Sequence, residues 1–522
     1  MMMHQVLKLA KMKVSTAIAT GILNTNLHSL LRNLSAAATT DTTTKSAAAQ
    51  PQTASKAYII RKIHEVGSTG GKVSDALHGI IKKGQQVNTV TLFDCFQDLR
   101  KKGRYQQCLE IVEWIEKGKF DSSGRNFTLR IDILHKLKGL AEAEKYFDGI
   151  PSAFKNQYVY KSLLSCYCAD LETDKALATF KKMNEMGFAS HVLTFNYVLN
   201  LYLKIKQPEK VPELISEMKK KQVPLDSHTY SYWIRSYQLL GDLEGVEQVF
   251  HEAQEDISVK DDWLIYSNVA SVFIEFGQFE KAFSYLKILE NISNSSDNPS
   301  RSVLEHLISL YARAGKLDSV IQSWNTLKSK FKVIYNHSYL TLLQALSRLD
   351  DIKGLENYFR EWESSCKNYD DRVPAIPIGA YLRHDMLEEA NVLLNDAKKK
   401  SGNLLCFPHV EFMNYYFGKG QTECALEHME AAIVSKWKPM AEKLDPCFQH
   451  FKDQKDVDGL EKFCLLLKKA QALDTKSYLW LLQTYVDAEK TAPDMRERIE
   501  EGGIDVTPEL EELLEQVCPN RF

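Results

Sequence analysis

The sequence predicts an all-α fold: a right-handed superhelical solenoid of about twelve helix-turn-helix repeats, each near 35 residues long. Three observations predict it. First, small or aliphatic residues recur at Cys108, Ala143, Ala176, Val211, Val246, Ala282, Val320, Leu355, Ala390, Ala425 and Leu460, with steps of 33 to 38 residues and most often 35. A ladder this regular is the signature of stacked repeats. Second, one stretch, Val192 to Asp226, holds two amphipathic helices. Phe195, Val198, Leu199 and Tyr202 are apolar at i, i+3, i+4 and i+7; Val211, Leu214, Ile215 and Met218 repeat the pattern. Third, other columns stay in phase with the ladder. Aromatics fall at Phe127, Tyr160, Phe195, Tyr230, Tyr266, Tyr339 and Tyr478, and glycines at Gly103, Gly241, Gly277, Gly315 and Gly420. A glycine there ends the first helix of a pair in the left-handed conformation.

The elements follow in chain order. The first acidic residue is Asp41, and Lys8, Lys11, Lys13 and Arg32 precede it among apolar and hydroxylated residues. That composition predicts an organellar transit peptide over residues 1–34. Arg32-Asn33-Leu34-Ser35 is similar to a mitochondrial processing site, which favours the mitochondrion (matrix) over the chloroplast. Polar residues interrupt the run, so neither a secretory signal nor a membrane span is expected. Residues 35–56 are Ala, Thr, Ser and Gln in low complexity, a linker. Residues 57–88, with Ile59, Ile60, Ile63, Leu77 and Ile80, are expected to form capping helices, because end repeats otherwise expose apolar faces. The repeat array runs over 89–509, with units starting near 89, 124, 157, 192, 227, 263, 301, 336, 371, 406, 441 and 475; residues 510–522 form a tail. In the 192 unit, Pro208 suits a first helical turn, whereas Pro212 would cost a hydrogen bond in a helix already begun.

Composition excludes some functions. The net charge is −2, and removing the four cations of the first 34 residues leaves −6. Indiscriminate binding to nucleic acid by charge alone is therefore not expected, although a local basic groove is allowed. The ten cysteines show no C-x-x-C and no zinc spacing, and Cys108, on the ladder, reads as a small core residue. No phosphate-binding loop, H-E-x-x-H or nucleophile elbow is present, and no H-x-E is followed by the C-x-x-C that a deaminase-like zinc site needs. A non-enzyme with no cofactor and no metal is expected.

Several segments resemble the pentatricopeptide repeat rather than the tetratricopeptide repeat, whose W-x2-L-G-x2-Y pattern is absent. They are T-F-N-Y-V-L-N-L-Y from Thr194, A-G-K-L-D-S-V from Ala314, L-E-E-A at Leu387–Ala390 and A-E-A-E-K-Y-F at Ala141–Phe147. The resemblance covers about residues 89–509, and the uniform unit length is similar to the P-type class of plant mitochondrial members. It implies single-stranded RNA as the partner, one base per unit. It also implies a role in transcript stability, processing or translation. In that family the fifth and last residues of a unit choose the base. Asn196 with Asp226 then implies uridine, and Ser231 with Asp262 (or Asp261, as the unit is one residue long) implies guanine; Ser267 with Ser300 is an unclear pair. Elsewhere the pattern fails, with Lys161 and His191, Glu305 and Tyr335, Leu340 and Asp370, Ala375, and Leu479. Lys204, Lys206 and Arg235 are candidates for phosphate contact, with Lys219, Lys220 and Lys221 beside them. The divergent pairs and the acidic mature charge leave an alternative: a protein-interaction scaffold, such as an accessory subunit of the mitochondrial ribosome. A monomer is expected in either case.

Overall fold

The structure, a computed structural model, describes residues 54–518 except 69, 119–124, 296–299, 402–404 and 441–443. The transit peptide expected at 1–34, all but the last three residues of the linker, and the last four residues of the tail lie outside the described residues. The described residues form 27 α-helices and one 3-10 turn, with no β-strand among them. None of these helices is long and apolar enough to cross a membrane. The chain divides into two compact units, Met1–Leu163 and Leu164–Phe522.

In the first unit, helix Lys56–Ser68 packs on both Val73–Lys82 and Thr89–Lys101, and Tyr105–Lys117 packs on Arg125–Lys138. Ile59, Ile63, Leu77, Ile80, Leu92 and Phe96 are fully or almost fully buried between the first of these helices. Each such side chain contributes about 1.5–3 kcal/mol by leaving water.

The second unit repeats one arrangement. The first helices of successive repeats stack on one another: Val192–Lys204 on Ser227–Leu240, then Trp263–Glu275, Arg301–Arg313, Asn336–Arg348, Arg372–Arg383 and Phe407–Gly418. Each second helix, such as Lys210–Lys220 or Leu243–Glu255, packs against its own first helix and the next one. This is the expected solenoid of helix pairs.

The sequence ladder has a plain physical meaning. All eleven of its residues, from Cys108 to Leu460, are 0% exposed. They mark where each second helix closes on its neighbours, so a residue that is mainly apolar fits there. Aromatics join one repeat to the next: Phe180 meets Phe195, Phe250 meets Tyr266 and Trp324 meets Tyr339, edge to face, with ring centroids 5.0–5.5 Å apart. All ten cysteines are free. Burial pushes the Cys108 and Cys168 thiols up to about 12, as expected of core residues rather than reactive ones.

The turn inside each pair carries a second register. Twelve residues there have positive φ, between 51° and 85°: Gly103, Gly139, Leu171, Lys206, Gly241, Gly277, Gly315, Asp350, Asp385, Gly420, Lys455 and Glu489. The glycine column of the sequence is thus part of a longer one in which bulkier residues adopt the same left-handed turn. At Lys206 the turn closes with Gln207 N–H donating to the Tyr202 carbonyl at 2.9 Å. The helix after it starts at Lys210, not at Pro208. Pro212 therefore lies in the first turn, where the missing N–H has no helical acceptor to lose, and the expected cost does not arise.

Candidate nucleic-acid interface

The first helices of stacked repeats present their early residues side by side, so a residue near one helix start meets the cap of the next. Asn196, on helix Val192–Lys204, is 5% exposed. Its amide nitrogen donates to both Asp226 oxygens, at 3.1 and 3.3 Å. Asp226 caps helix Ser227–Leu240 and accepts from the Thr229 N–H at 2.8 Å. The Thr229 hydroxyl lies 2.9 Å from the Asn196 amide oxygen and 2.8 Å from Asp226 Oδ1, and its one proton serves one or the other. Burial pushes the Asp226 carboxyl up, but the bonds from the Thr229 N–H and hydroxyl and from Asn196 outweigh it and hold it below the usual carboxylate range. Because Asp226 can only accept, it fixes which end of the Asn196 amide is nitrogen. One N–H and one lone pair of that amide remain for another partner.

The 301 unit uses the same geometry with other residues. Glu305, at the place of Asn196, is buried and accepts from the Ser338 hydroxyl at 2.6 Å. Tyr335, at the place of Asp226, is 61% exposed and lies against the Arg301 guanidinium, 4.4 Å from the ring centroid.

Ser231 and Asp262 are not joined. The Ser231 hydroxyl donates back to the Ser227 carbonyl at 2.6 Å and lies 2.6 Å from the Asn268 amide nitrogen. Asp262 caps helix Trp263–Glu275 through the Leu264 N–H and accepts from the Ser227 hydroxyl instead. The extra residue of the 227 unit shifts the cap by one place. Asn268 was not among the expected residues; its amide sits one place beyond the fifth position of its unit. Ser267 is buried at 3% exposure, and Ser300 caps helix Arg301–Arg313 without a side-chain bond.

The basic candidates separate into two groups. Lys204 and Lys206 are exposed at the end of a first helix, with no ion pair to either among the described residues. Arg235, also exposed, donates to Gln238 at 2.8 Å, which in turn reaches Glu275. By contrast, Lys219 pairs with Glu252 at 2.6 Å and lies over the Trp233 ring, and Lys221 pairs with Glu217 at 2.6 Å and with Asn184 at 2.8 Å. These second-helix lysines serve contacts between repeats. An arginine column went unnoticed: Arg313, Arg348 and Arg383 recur at steps of 35 on three consecutive first helices, a periodicity open to sequence reading. Exposed apolar residues also recur at the second place of a unit, with Leu193 and Phe407 40% and 43% exposed. A flat or branched side chain there offers a base a stacking surface.

No group of three or more metal-ligating side chains occurs among the described residues. Two family models match the chain: a PPR repeat family over residues 190–237 and a PPR repeat over 158–188. A mitochondrial pentatricopeptide repeat-containing protein of Arabidopsis thaliana is 38% identical over 88% of this chain and 87% of its own. A second such protein is also 38% identical, over 93% of this chain and 97% of its own. The large ribosomal subunit protein mL101 of the same plant is 31% identical over 88% of this chain and 94% of its own. Among solved structures, the maize pentatricopeptide repeat protein PPR10 is 17% identical, with a TM-score of 0.42 over 85% of this chain and 68% of that one.

Proposed function

This chain belongs to the pentatricopeptide repeat family, and on that premise we propose that it binds single-stranded RNA in the mitochondrial matrix as a P-type member. Residues 1–34 would be removed on import, and the array from 89 to 509 would occupy one site on a transcript. Occupancy alone then protects the RNA from exonucleases or holds a hairpin open for processing or translation; no catalytic group, metal or cofactor is used.

The observation that carries this reading is the Asn196 amide locked by Asp226 and Thr229. Its remaining donor and acceptor match the N3–H and a carbonyl of uridine. Leu193 supplies an exposed apolar neighbour three residues away, and Lys204 and Lys206 supply charge on the same helix and its turn. The test is selection of the purified protein against a random single-stranded RNA pool at physiological salt. A short enriched motif containing uridine, relaxed at that position by Asn196→Ala, supports the reading. Weak, salt-sensitive binding with no motif defeats it.

The second reading is an accessory subunit of the mitochondrial ribosome, acting through protein contacts. It is favoured by the likeness to mL101 and by the C-terminal stretch 487–515, which holds eleven acidic and three basic residues. Co-sedimentation with ribosomes from mitochondrial extracts, insensitive to nuclease, would favour it over free RNA binding.

A further inference from the structure

In the 336, 371 and 406 units the fifth residues are Leu340, Ala375 and Val410, none of which can bond a base edge. The structure nevertheless opens a polar-lined cavity there. Small residues at Ala345, Ala375 and Gly379 leave a cavity of about 550 Å³ on the first-helix row. Its polar lining comes from Thr341, Gln344, Ser347, Arg348, Arg383 and Glu411.

Glu411 lies close over Gly379: a Cβ there would sit 2.7 Å from Glu411 Oε2, so the carboxylate would have to move aside. The carboxylate has no hydrogen-bond partner among the described residues. Burial pushes its pKa up, with the Arg383 charge opposing. Arg383 itself is held by the Ser347 hydroxyl at 2.7 Å. Arg348 is exposed and makes no ion pair among the described residues. The cavity thus holds a half-buried carboxylate lacking a donor, flanked by two guanidinium groups.

The chemistry selects the ligand. A bare phosphate would meet Glu411 as a like charge. Among the bases, only guanine presents two adjacent N–H donors, N1–H and the N2 amino group, which one carboxylate can accept together. Uridine has a single N–H between two carbonyls. Cytosine and adenine place a ring-nitrogen acceptor beside their amino group, and the carboxylate repels it. Arginine is suited to a phosphate as a fork of donors.

Resting on the RNA-binding reading, we propose that this cavity receives a guanosine residue of the bound RNA. Glu411 accepts from N1–H and N2–H, and Arg348 contacts the adjoining phosphate. Base choice here then rests on the sixth position of a unit, with the ninth position of the unit before leaving it room and a thirteenth-position arginine holding the backbone.

The experiment measures binding of the full chain to oligouridine carrying a single guanosine, adenosine or cytidine at each position in turn. In one register guanosine should strengthen binding about tenfold over the other bases, within the range of one bidentate contact. Glu411→Gln and Glu411→Ala should abolish that preference and leave oligouridine binding within about twofold. Gly379→Ala, which displaces the carboxylate, should do the same, whereas Arg348→Ala should weaken every oligonucleotide. A guanosine preference that survives Glu411→Gln overturns the proposal and leaves RNA binding standing. No binding of any oligonucleotide overturns both, and a wild-type protein that binds all of them equally overturns the guanosine site alone.

Discussion

The Asn196 amide nitrogen lies between the two oxygens of the Asp226 carboxylate, 30 residues away in sequence, and that carboxylate is also the cap of the next helix. One side chain thus orients its neighbour and starts the following repeat. Asn196→Ala should leave the fold intact and reduce affinity for a uridine-bearing target by about 5- to 150-fold, from the roughly 1–3 kcal/mol of one base contact. Fluorescence anisotropy on matched RNAs reads this. Equal affinities for wild type and variant would remove Asn196 from the interface.

Asp226→Ala should act differently, since it removes a cap as well. A loss of about 1 kcal/mol in stability is expected, together with a loss of uridine preference, because the Asn196 amide is then free to turn over. Asp226→Asn keeps an acceptor for the cap and should restore most of the stability. Urea denaturation of the three proteins separates the two effects.

The basic residues predict a contrast in salt dependence. Lys204→Ala and Lys206→Ala should each lower the slope of log affinity against log salt by about 0.7, the single-strand value per phosphate. Lys219→Ala should not change it, because Lys219 is spent on Glu252 and Trp233. Equal slopes in all four proteins would place the RNA elsewhere.

The turn column predicts stability. Gly241→Ala, at φ 72°, should cost about 1 kcal/mol, and Leu171→Gly, at φ 62° with the side chain 46% exposed, should recover a similar amount. The left-handed conformation strains a branched or bulky residue and not glycine. A Leu171→Gly protein no more resistant to urea than wild type would show that the turn is not strained.

Acidification has a local target. His409 and His428 meet through their Nδ1 atoms at 3.0 Å, and Phe412 stacks on His428. Burial first, then the nearby positive charge of Lys398 for both and of His428 for His409, pulls each imidazole down to about 4. In the unfolded chain both return to an ordinary value near 6.5. Between these values the unfolded state binds more protons, so the contribution is complete above about pH 6.5 and is lost as pH falls toward 4. By pH 5 each histidine should cost the fold up to about 2 kcal/mol. A His409→Phe, His428→Phe double variant should flatten the fall in urea midpoint between pH 7 and 5; an unchanged fall would locate the acid sensitivity elsewhere.

The fold was legible because its determinants are local and periodic. Val211, Ala390 and their counterparts are fully buried at every step of the ladder, and a charged residue at any of them would break its repeat in the same way. The site was legible only in part. Asn196 and Asp226 stand out together because the family resemblance gives the fifth and last residues of a unit a joint role, and the structure joins these two by a hydrogen bond. Ser231 and Asp262 make no hydrogen bond to each other, because a hydroxyl has a backbone carbonyl within reach one turn back, which spacing does not reveal. Glu411 gives no signal in the sequence, because the cavity it lines is bounded by Gly379 on another helix. Pro212 was misjudged by two residues of helix boundary, a precision that amphipathic patterning does not supply.

The capping carboxylate has a bearing on how such a chain could be retargeted. If the last residue of a unit helps to select a nucleotide, the alphabet open to it is narrowed by a second duty, since Asp, Asn, Ser and Thr start a helix well and most other residues do not. Specificity and foldability are then written in the same letter. Tyr335 shows the other course: with no side-chain cap, it is released from that alphabet, and its repeat is held instead by Arg301 bonded to Ser338 and to the Val333 carbonyl. If the 192 unit does select a base, a designer would do better to vary Asn196 and keep Asp226 than the reverse.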